Sequence, residues 1–426
     1  MGGSDIAELN GRRNKALGAG TPLFYSEPLH LVQGKGVSLF DSHGRRYTDM
    51  YNNVASVGHC HPHVVEAISR QVETLNVHSR YLHEGVVEYA ERLTEKHHEG
   101  IECAIFTCSG TEANEVALLM ARGATRARGI ICTNAAYHGN SAAVRVLTRL
   151  GERATDAAAE VRAVSFPETY RFVGNDACSH YLEELDRTID SFRKDDIPFA
   201  GMLICPIFAN EGLPNVPDGY LPRAIEMVHD AGGLLICDEV QSGLCRTGKW
   251  WGYQDMGVQP DIVTMGKPIG AGVPLAAVAA SQELVEQFRS ETRYFNTFAS
   301  SPLQAAAGNA VLDVIENEDI QESVQAVGAK FLEQLKQVQQ EFEQIGDVRG
   351  IGLFIGMEWV TDWTSKEPDV EGARRIVDVL KDKGFLISNA GAYSNMLKIR
   401  PPLVFQHSDS EAFLEAFKET LRELYG

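Results

Sequence analysis

Two residues in one stretch of this sequence have the types and positions to do chemistry together. Asp238 closes the apolar run Leu234-Leu235-Ile236-Cys237, and Lys267 follows the apolar run Ile262-Val263-Thr264-Met265. Runs of this length bounded by Gly or Pro read as strands buried on both faces. Such strands belong to parallel α/β sheets, where ligands gather at the carboxyl ends. An acid and an amine are thereby delivered to one crevice. A buried lysine is costly unless it is paired or its amine is used. Two readings follow: a structural ion pair between strand ends, and a reactive amine opposed by an acid.

A second constellation lies upstream. In Cys108-Ser109-Gly110-Thr111-Glu112 a strand-like run gives way to a helical pattern. Ser109 and Thr111 bring hydroxyls beside free helical N–H groups, and Gly110 allows close approach, which together make an anion site. Ser109 with Glu112 also fits a capping box. The cap alone does not require the Gly-Thr pair, which favours the anion. Tyr137-His138-Gly139 follows a strand run at 130 to 132 and puts an aromatic at the same sheet edge, to stack on a planar ligand or to pack. A metal centre at His59-Cys60-His61-Pro62-His63 is disfavoured, because alternating side chains before a proline do not converge on one ion. A loop capping the helix after Pro62 is the better reading. The run from Gly243 to Lys249 nearly spells a P-loop, but Trp250 stands where Ser or Thr must reach Mg²⁺. Neither a metal nor a nucleotide is expected.

A mostly parallel, doubly wound sheet must carry these positions. Strands are expected at 103–107, 130–132, 161–166, 200–205 and 233–238, with helices at 180–194 and 219–231 between them. Upstream, short strands at 29–32, 37–40 and 46–50 flank turns at 34–36 and 41–44, and need a partner to cover them. Helical periodicity from His63 puts Val64, Val65, Ala67, Ile68 and Val72 on one face; a second helix covers 86–97. Downstream come a strand at 274–279, helices at 302–316 and 320–344, and an α+β pattern. That pattern has a strand at 350–358, a helix at 370–383, strands near 385 and 396, and a helix at 409–424. The expected domains are a large one over 56–314 and a smaller α+β one joining 1–55 to 315–426.

Composition narrows the function. The 426 residues are 44% hydrophobic and 23% charged, ordinary for a globular enzyme. A formal net charge of -19 argues against nucleic acid or an anionic membrane as partner. No stretch approaches ~18 continuous apolar residues, so no membrane span is expected. The polar start, with Arg12-Arg13 and no apolar core behind it, is not a secretory signal. The eight cysteines form no C-x-x-C pair and are expected reduced, in a cytoplasmic protein.

One sheet edge thus carries an anion cradle, an aromatic, an acid and an amine. A flat, phosphate-bearing aldehyde with a cationic ring uses all four, which describes pyridoxal 5′-phosphate. The sequence resembles the class III (omega-type) pyridoxal-phosphate aminotransferases over nearly its whole length. The resemblance rests on Tyr51-Asn52-Asn53, Gly58-His59-Cys60-His61-Pro62, Cys108 to Glu115, Tyr137-His138-Gly139, Asp238 to Gly243, Arg246-Thr247-Gly248, Pro260 to Val263, Gly266-Lys267, Phe295-Asn296-Thr297-Phe298 and Leu397 to Leu403, in that order. It implies fold type I and a transaminase moving an amino group from an amine or amino acid to a 2-oxo acid, with pyruvate foremost. A phospholyase or racemase acting on an amino compound is the alternative.

The resemblance also implies roles. Lys267 would form the aldimine and shuttle the proton, and Asp238 would keep the pyridinium protonated. Gln241 would bond the ring's 3-oxygen and Tyr137 would stack on the ring. Ser109, Gly110 and Thr111 would hold the phosphate, with His138 and Glu211 also at the cofactor. Thr297 would reach the phosphate of a neighbouring subunit, in a homodimer or tetramer with shared sites. Tyr25, Asn53, Tyr81 and Arg400 would line the substrate side, with Arg80 and the N-terminal arm at its mouth. Departures concern Cys205-Pro206, where many relatives have Glu-Pro, the run Phe208 to Gly212, and Ala299-Ser300-Ser301. Lys398 stands where ornithine-type relatives have an arginine. The form Lys398-Ile399-Arg400-Pro401-Pro402 resembles a branch that includes phospholyases of phosphorylated amino compounds.

Overall fold

The computed structural model describes residues 6–150 and 158–426; residues 1–5 of the expected arm and 151–157 of the expected large domain lie outside the described residues. The chain begins with α1 (Ile6–Leu17), β1 (Leu31–Lys35), β2 (Ser38–Asp41), β3 (Arg46–Asp49), α2 (Pro62–Thr74) and α3 (Glu84–Thr94). It continues through β4 (Cys103–Thr107), α4 (Gly110–Thr125), β5 (Gly129–Thr133), α5 (Ala142–Arg145), β6 (Val161–Val164), α6 (Ala177–Lys194), β7 (Phe199–Ile204), α7 (Tyr220–Asp230), β8 (Leu234–Asp238), α8 (Gly252–Asp255), β9 (Ile262–Met265) and β10 (Ala276–Ala280). The remainder is α9 (Gln282–Thr292), α10 (Pro302–Asn317), α11 (Ile320–Gln339), β11 (Ile345–Ile351), β12 (Phe354–Trp359), α12 (Val370–Asp382), β13 (Phe385–Leu386), β14 (Ser388–Ala390), β15 (Met396–Ile399) and α13 (His407–Tyr425).

Seven strands in the order β4-β10-β9-β8-β7-β5-β6 form the central sheet. The pairs from β9 to β6 are parallel, and only β10 runs against its neighbours β9 and β4. β5, β9 and β10 are buried along their whole length, which explains their uninterrupted apolar runs. Alternate residues of each strand feed opposite cores. Ile130, Leu203, Ile236 and Ile262 pack with α4 and α9. Ile131, Met202, Leu235 and Val263 pack with residues of α6, α7 and α10 on the other side. Helices on both faces make this the doubly wound α/β sheet that the strand pattern implies.

Two smaller sheets flank it. One has the order β1-β2-β3-β13, so the exposed side of the N-terminal meander is covered by a strand from the far end of the chain. Phe385 and Leu386 pair in parallel with Thr48 and Asp49. The other has the order β11-β12-β15-β14 and is antiparallel throughout.

Three expectations are corrected. The apolar run near 350–358 is two strands rather than one: Gly352, at φ 56°, turns β11 back as β12. The helix from 320 ends at Gln339, and residues 340–344 lead into β11. On α2 only Val64 is buried, with Ala67 and Ile68 packed on the core, whereas Val65 and Val72 point outward. A helix touching its neighbours along one edge buries a narrower stripe than its apolar residues suggest.

Candidate active site

The site gathers at the carboxyl ends of β4, β5, β7, β8 and β9. Ser109, Gly110, Thr111, Tyr137, His138, Cys205, Asn210, Asp238, Val240, Gln241 and Lys267 line one cavity there. At the start of α4 half of the expected capping box forms: Ser109 Oγ accepts from Glu112 N at 3.2 Å, but the Glu112 carboxylate reaches one residue past the cap and accepts from Cys108 N at 2.7 Å. The cap uses the serine hydroxyl, while the Gly110 and Thr111 N–H groups face the cavity at the positive end of the helix dipole. A Cβ on Gly110 would lie 2.8 Å from Val240 Cγ2, so only glycine fits between α4 and the strand-end loop.

Asp238, the last residue of β8, is buried and heavily bonded. Its Oδ2 accepts from His138 Nδ1 at 2.8 Å and from Asn114 Nδ2 at 2.9 Å, and its Oδ1 accepts from Val240 N at 3.0 Å. Asn114 is fixed in turn by Thr264 Oγ1, which donates to its Oδ1 at 2.7 Å. Burial pushes the Asp238 carboxyl up, but the His138 ring, the Asn114 amide and the Val240 N–H outweigh it and hold it below its ordinary value. Asp238 therefore stays ionised inside the protein. His138 Nε2 is buried and has no hydrogen-bond partner among the described residues.

Lys267 follows β9 at φ 39°, a left-handed conformation rarely adopted by residues with side chains and one that clusters at functional sites. Among the described residues its amine has no hydrogen-bond or ion-pair partner. Burial, then the nearby Arg400 guanidinium, push it down to about 8 against the opposing pull of Asp238. Lys267 also lines a second, more apolar pocket with Leu23, Phe24, Tyr25, Asn53 and Arg400. Arg400 is buried, donates from Nε to Tyr51 O at 3.2 Å and from Nη1 to Gln241 Oε1, and lies 5.1 Å from the Tyr51 ring centroid.

Most residues singled out from the sequence converge here; four do not. Glu211 turns away and bonds Thr133 Oγ1, and Asn210 takes its place, accepting from Gln241 Nε2 at 2.7 Å and donating to Tyr137 O at 3.1 Å. Positive φ at Phe208 and Leu213 sets that turn. Thr297 is exposed and lines neither pocket, and Arg80 and Tyr81 likewise stand outside, Arg80 over the Phe295 ring at 4.4 Å. Asn53 is placed structurally: it donates to Gln241 O at 3.1 Å and accepts from Arg246 Nε at 3.1 Å. Sequence reasoning missed Asn114 and Asn210, whose only signal was a polar residue on an apolar helix face and in an irregular loop. The three histidines of the His59–His63 loop each bond a different carboxylate, Asp49, Glu318 and Asp313.

These groups suit a flat phosphorylated aldehyde: helical N–H donors for an anion, an ionised acid, an orphaned imidazole nitrogen, a half-exposed aromatic and an unpaired amine. Comparison with known proteins agrees. A family model for class-III aminotransferases matches residues 25–421. An alanine–glyoxylate aminotransferase 2 homologue of Arabidopsis thaliana, named as mitochondrial, is 38% identical over 97% of this chain and 87% of its own. A phospholyase from Arthrobacter, solved in complex with phosphoethanolamine, is 39% identical with a TM-score of 0.95, covering 98% of this chain and all of its own. An amine transaminase from an uncultivated Pseudomonas species, solved in its pyridoxal-phosphate-bound form, is 26% identical with a TM-score of 0.85, over 93% and 95% of the two chains. The chain belongs to the class-III aminotransferases, enzymes of fold type I whose cofactor is pyridoxal 5′-phosphate.

Proposed function

We propose that this protein moves an amino group from an amine or amino acid to a 2-oxo acid, with pyruvate as acceptor, in two half-reactions of a ping-pong cycle. One observation carries the reading: an unpaired, buried amine at Lys267 shares a cavity with an ionised Asp238 that is bonded elsewhere. Bound pyridoxal phosphate supplies a carbonyl that condenses with amines and a ring that withdraws electrons.

The residues divide the remaining work. The Gly110 and Thr111 N–H groups and the Thr111 hydroxyl bind the phosphate at the α4 dipole. Asp238, its charge maintained by His138 and Asn114, would stabilise a protonated ring nitrogen. Tyr137, whose carbonyl accepts from Asn210 Nδ2, would cover a ring face. Lys267 Nζ, lowered to about 8, holds or releases a proton near neutrality, as a general base must. Tyr25 and Arg400 face the substrate from the adjoining pocket. Thr297, exposed in the single chain, serves the cofactor phosphate of a partner subunit in a homodimer.

A phospholyase is the second reading, favoured by the likeness to the Arthrobacter enzyme. Incubation with an amine and pyruvate separates the two. Alanine accumulation supports transfer; phosphate release from a phosphorylated amino alcohol, without alanine, overturns it.

A further inference from the structure

Lys398 and Arg400, two cations of the small sheet and its edge, lie buried without an ion-pair partner among the described residues. Lys398 on β15 and Arg400 just past its end are two residues apart, and extended chain sends both to the same side. Lys398 is opposite Gly356, and the adjacent Ile399 is opposite Ile355. Lys398 Nζ and the Arg400 guanidinium carbon lie 5.6 and 5.5 Å from the Phe354 ring centroid. Lys398 is 3% exposed, and among the described residues its ammonium has no hydrogen-bond or ion-pair partner. Every protein partner of the Arg400 side chain is neutral: the Tyr51 carbonyl and the Gln241 amide. The carboxylate of Asp49, which acts on Arg400 through space, is occupied by His59 and by the N–H groups of Tyr51 and Asn52.

Arg246, also buried, is likewise bonded only to neutral groups, the Asn53 amide and the Leu353 and Pro401 carbonyls, and so adds to the same excess of positive charge, whereas buried cations farther off are paired. Arg349 is paired with Glu358 and Asp347, and Lys381 with Asp382. Leaving two like charges together unpaired in a low-dielectric interior is expensive, and such excess marks a place where an anion arrives. Arg400 lines the substrate pocket beside Lys267, and so does Ser388, which pairs with Lys398 across the sheet. Lys398 stands one layer behind that wall.

We propose that Arg400 and Lys398 form a receptor for a dianionic group on the substrate, of the phosphomonoester kind, with Arg400 making the contact and Lys398 supplying the second charge. This rests on Lys267 carrying the cofactor and the pocket beside it taking the substrate. One cation would serve a monocarboxylate; two fit a double charge. The groups facing Lys398 are Arg400 on its own strand, Cys205 and Glu211 from the loop after β7, and Lys267 from beyond β9. Burial and then Arg400 and Lys267 push its amine down to about 7, against Cys205 and Glu211. The arriving dianion reverses that balance, so Lys398 takes up a proton as the ligand binds.

The test is calorimetric titration of the pyridoxal-phosphate-loaded enzyme, with its cofactor-phosphate site filled. Sulfate, a dianion throughout the pH range, and acetate, a monoanion, are the probes. Loading is first verified by cofactor absorbance. Wild type is expected to bind sulfate at least ~10-fold more tightly than acetate at pH ~6.5, with proton uptake visible as a buffer-dependent heat, and to lose ~10-fold by pH ~8.5. Lys398→Met loses the sulfate preference and the proton uptake. Lys398→Arg, charged at every pH, keeps the affinity and flattens its pH dependence. Sulfate binding that Lys398→Met leaves unchanged, or that is no tighter than acetate, overturns the receptor. A protein that does not take the cofactor overturns the proposed function instead.

Discussion

Asp238 and Lys267 enter the same cavity without bonding to each other. Asp238 Oδ2 is committed to His138 and Asn114, and Oδ1 to the Val240 N–H, while the Lys267 amine is unpaired. The acid is saturated by neighbours that keep it charged, and the amine is left available. A structural ion pair would show the opposite arrangement.

Lys267→Ala is accordingly expected to fold, to take up cofactor only noncovalently and to lose transfer by at least ~10³-fold, the scale of a removed general base. Lys267→Arg keeps a charge but not a titratable amine and should be equally inactive. Loss of the long-wavelength absorbance of the covalently bound cofactor, alongside an unchanged far-UV spectrum, checks both. Activity surviving in Lys267→Ala would place the reactive amine elsewhere.

Asn114→Ala removes one of the two side-chain donors to Asp238 Oδ2 and strands Thr264 Oγ1. A buried unsatisfied group costs about 1–3 kcal/mol, measurable by denaturant unfolding. A carboxylate held below its ordinary value is ionised above that value, and its advantage is lost as pH falls through it. With Asn114 gone the Asp238 carboxyl rises, so the acid limb of the kcat profile should move to higher pH. A purely structural role for Asn114 would lower stability and leave that limb in place.

The sequence carried the strand ends better than the loops between them, for a physical reason. β8 and β9 are buried on both faces and admit little but apolar residues, so Asp238 and Lys267 stood out at their ends. Ser109 and Gly110 were legible because a helix N-terminus has few chemical solutions. The loop from Phe208 to Leu213 has no such restriction: two positive-φ residues set its turn, and a one-residue choice decided that Asn210 faces the cavity while Glu211 faces Thr133. The β11–β12 hairpin was hidden because the apolar residues Ile351, Leu353, Phe354 and Ile355 run on through its turn, and Gly352 is one of several glycines there, with Gly346, Gly350 and Gly356. Thr297 and Tyr81 lie exposed, where the pattern of polar and apolar residues carries little positional information.

Gly110→Ala places a Cβ against Val240, a branched side chain with little freedom at χ1. The start of α4 must shift, misaligning its N–H donors, and the cofactor dissociation constant should rise ~10-fold, equivalent to about 1.4 kcal/mol. Val240→Ala clears the clash, so the double variant should recover most of the affinity; coupling of this kind is what a double-mutant cycle measures. Absence of rescue would mean that Gly110 is required for ligand approach rather than for packing on Val240.

The Lys267 amine, pushed down to about 8 by burial and Arg400, sets a pH window. Only the neutral amine attacks a carbonyl, so capture of pyridoxal phosphate by the apoenzyme should quicken ~10-fold per unit below about 8 and level off above it, followed by stopped-flow absorbance. The stability sign follows from the same shift. The folded state binds fewer protons than the unfolded chain between about 8 and the ordinary lysine value, so the penalty of burying Lys267 is present below 8 and is relieved as pH rises through that window. Lys267→Met apoenzyme should therefore be more stable than wild type at pH ~7, by an amount that shrinks toward pH ~10.

Asp378 of α12 holds the segment that roofs the substrate pocket. Its carboxylate accepts from Ser26 N at 3.1 Å and from Ser26 Oγ, and the neighbouring Tyr25 hydroxyl donates to Ile387 O at 3.1 Å. Leu23, Phe24 and Tyr25 are thereby pinned over Lys267 and Arg400, with the exposed Phe24 ring set edge-on to the Tyr51 ring at 5.4 Å. Asp378→Ala releases the Ser26 contacts without touching the cavity of Asp238. Exposed hydrogen bonds are worth about 0.5–1.5 kcal/mol each to the closed position. The expected result is a rise of ~5- to 10-fold in KM for the amino donor with kcat little changed, because the arm contributes to substrate binding rather than to proton transfer at Lys267. Asp378→Asn, which retains one acceptor oxygen, should fall between the two. An equal drop in kcat and kcat/KM would instead assign the arm to the transition state.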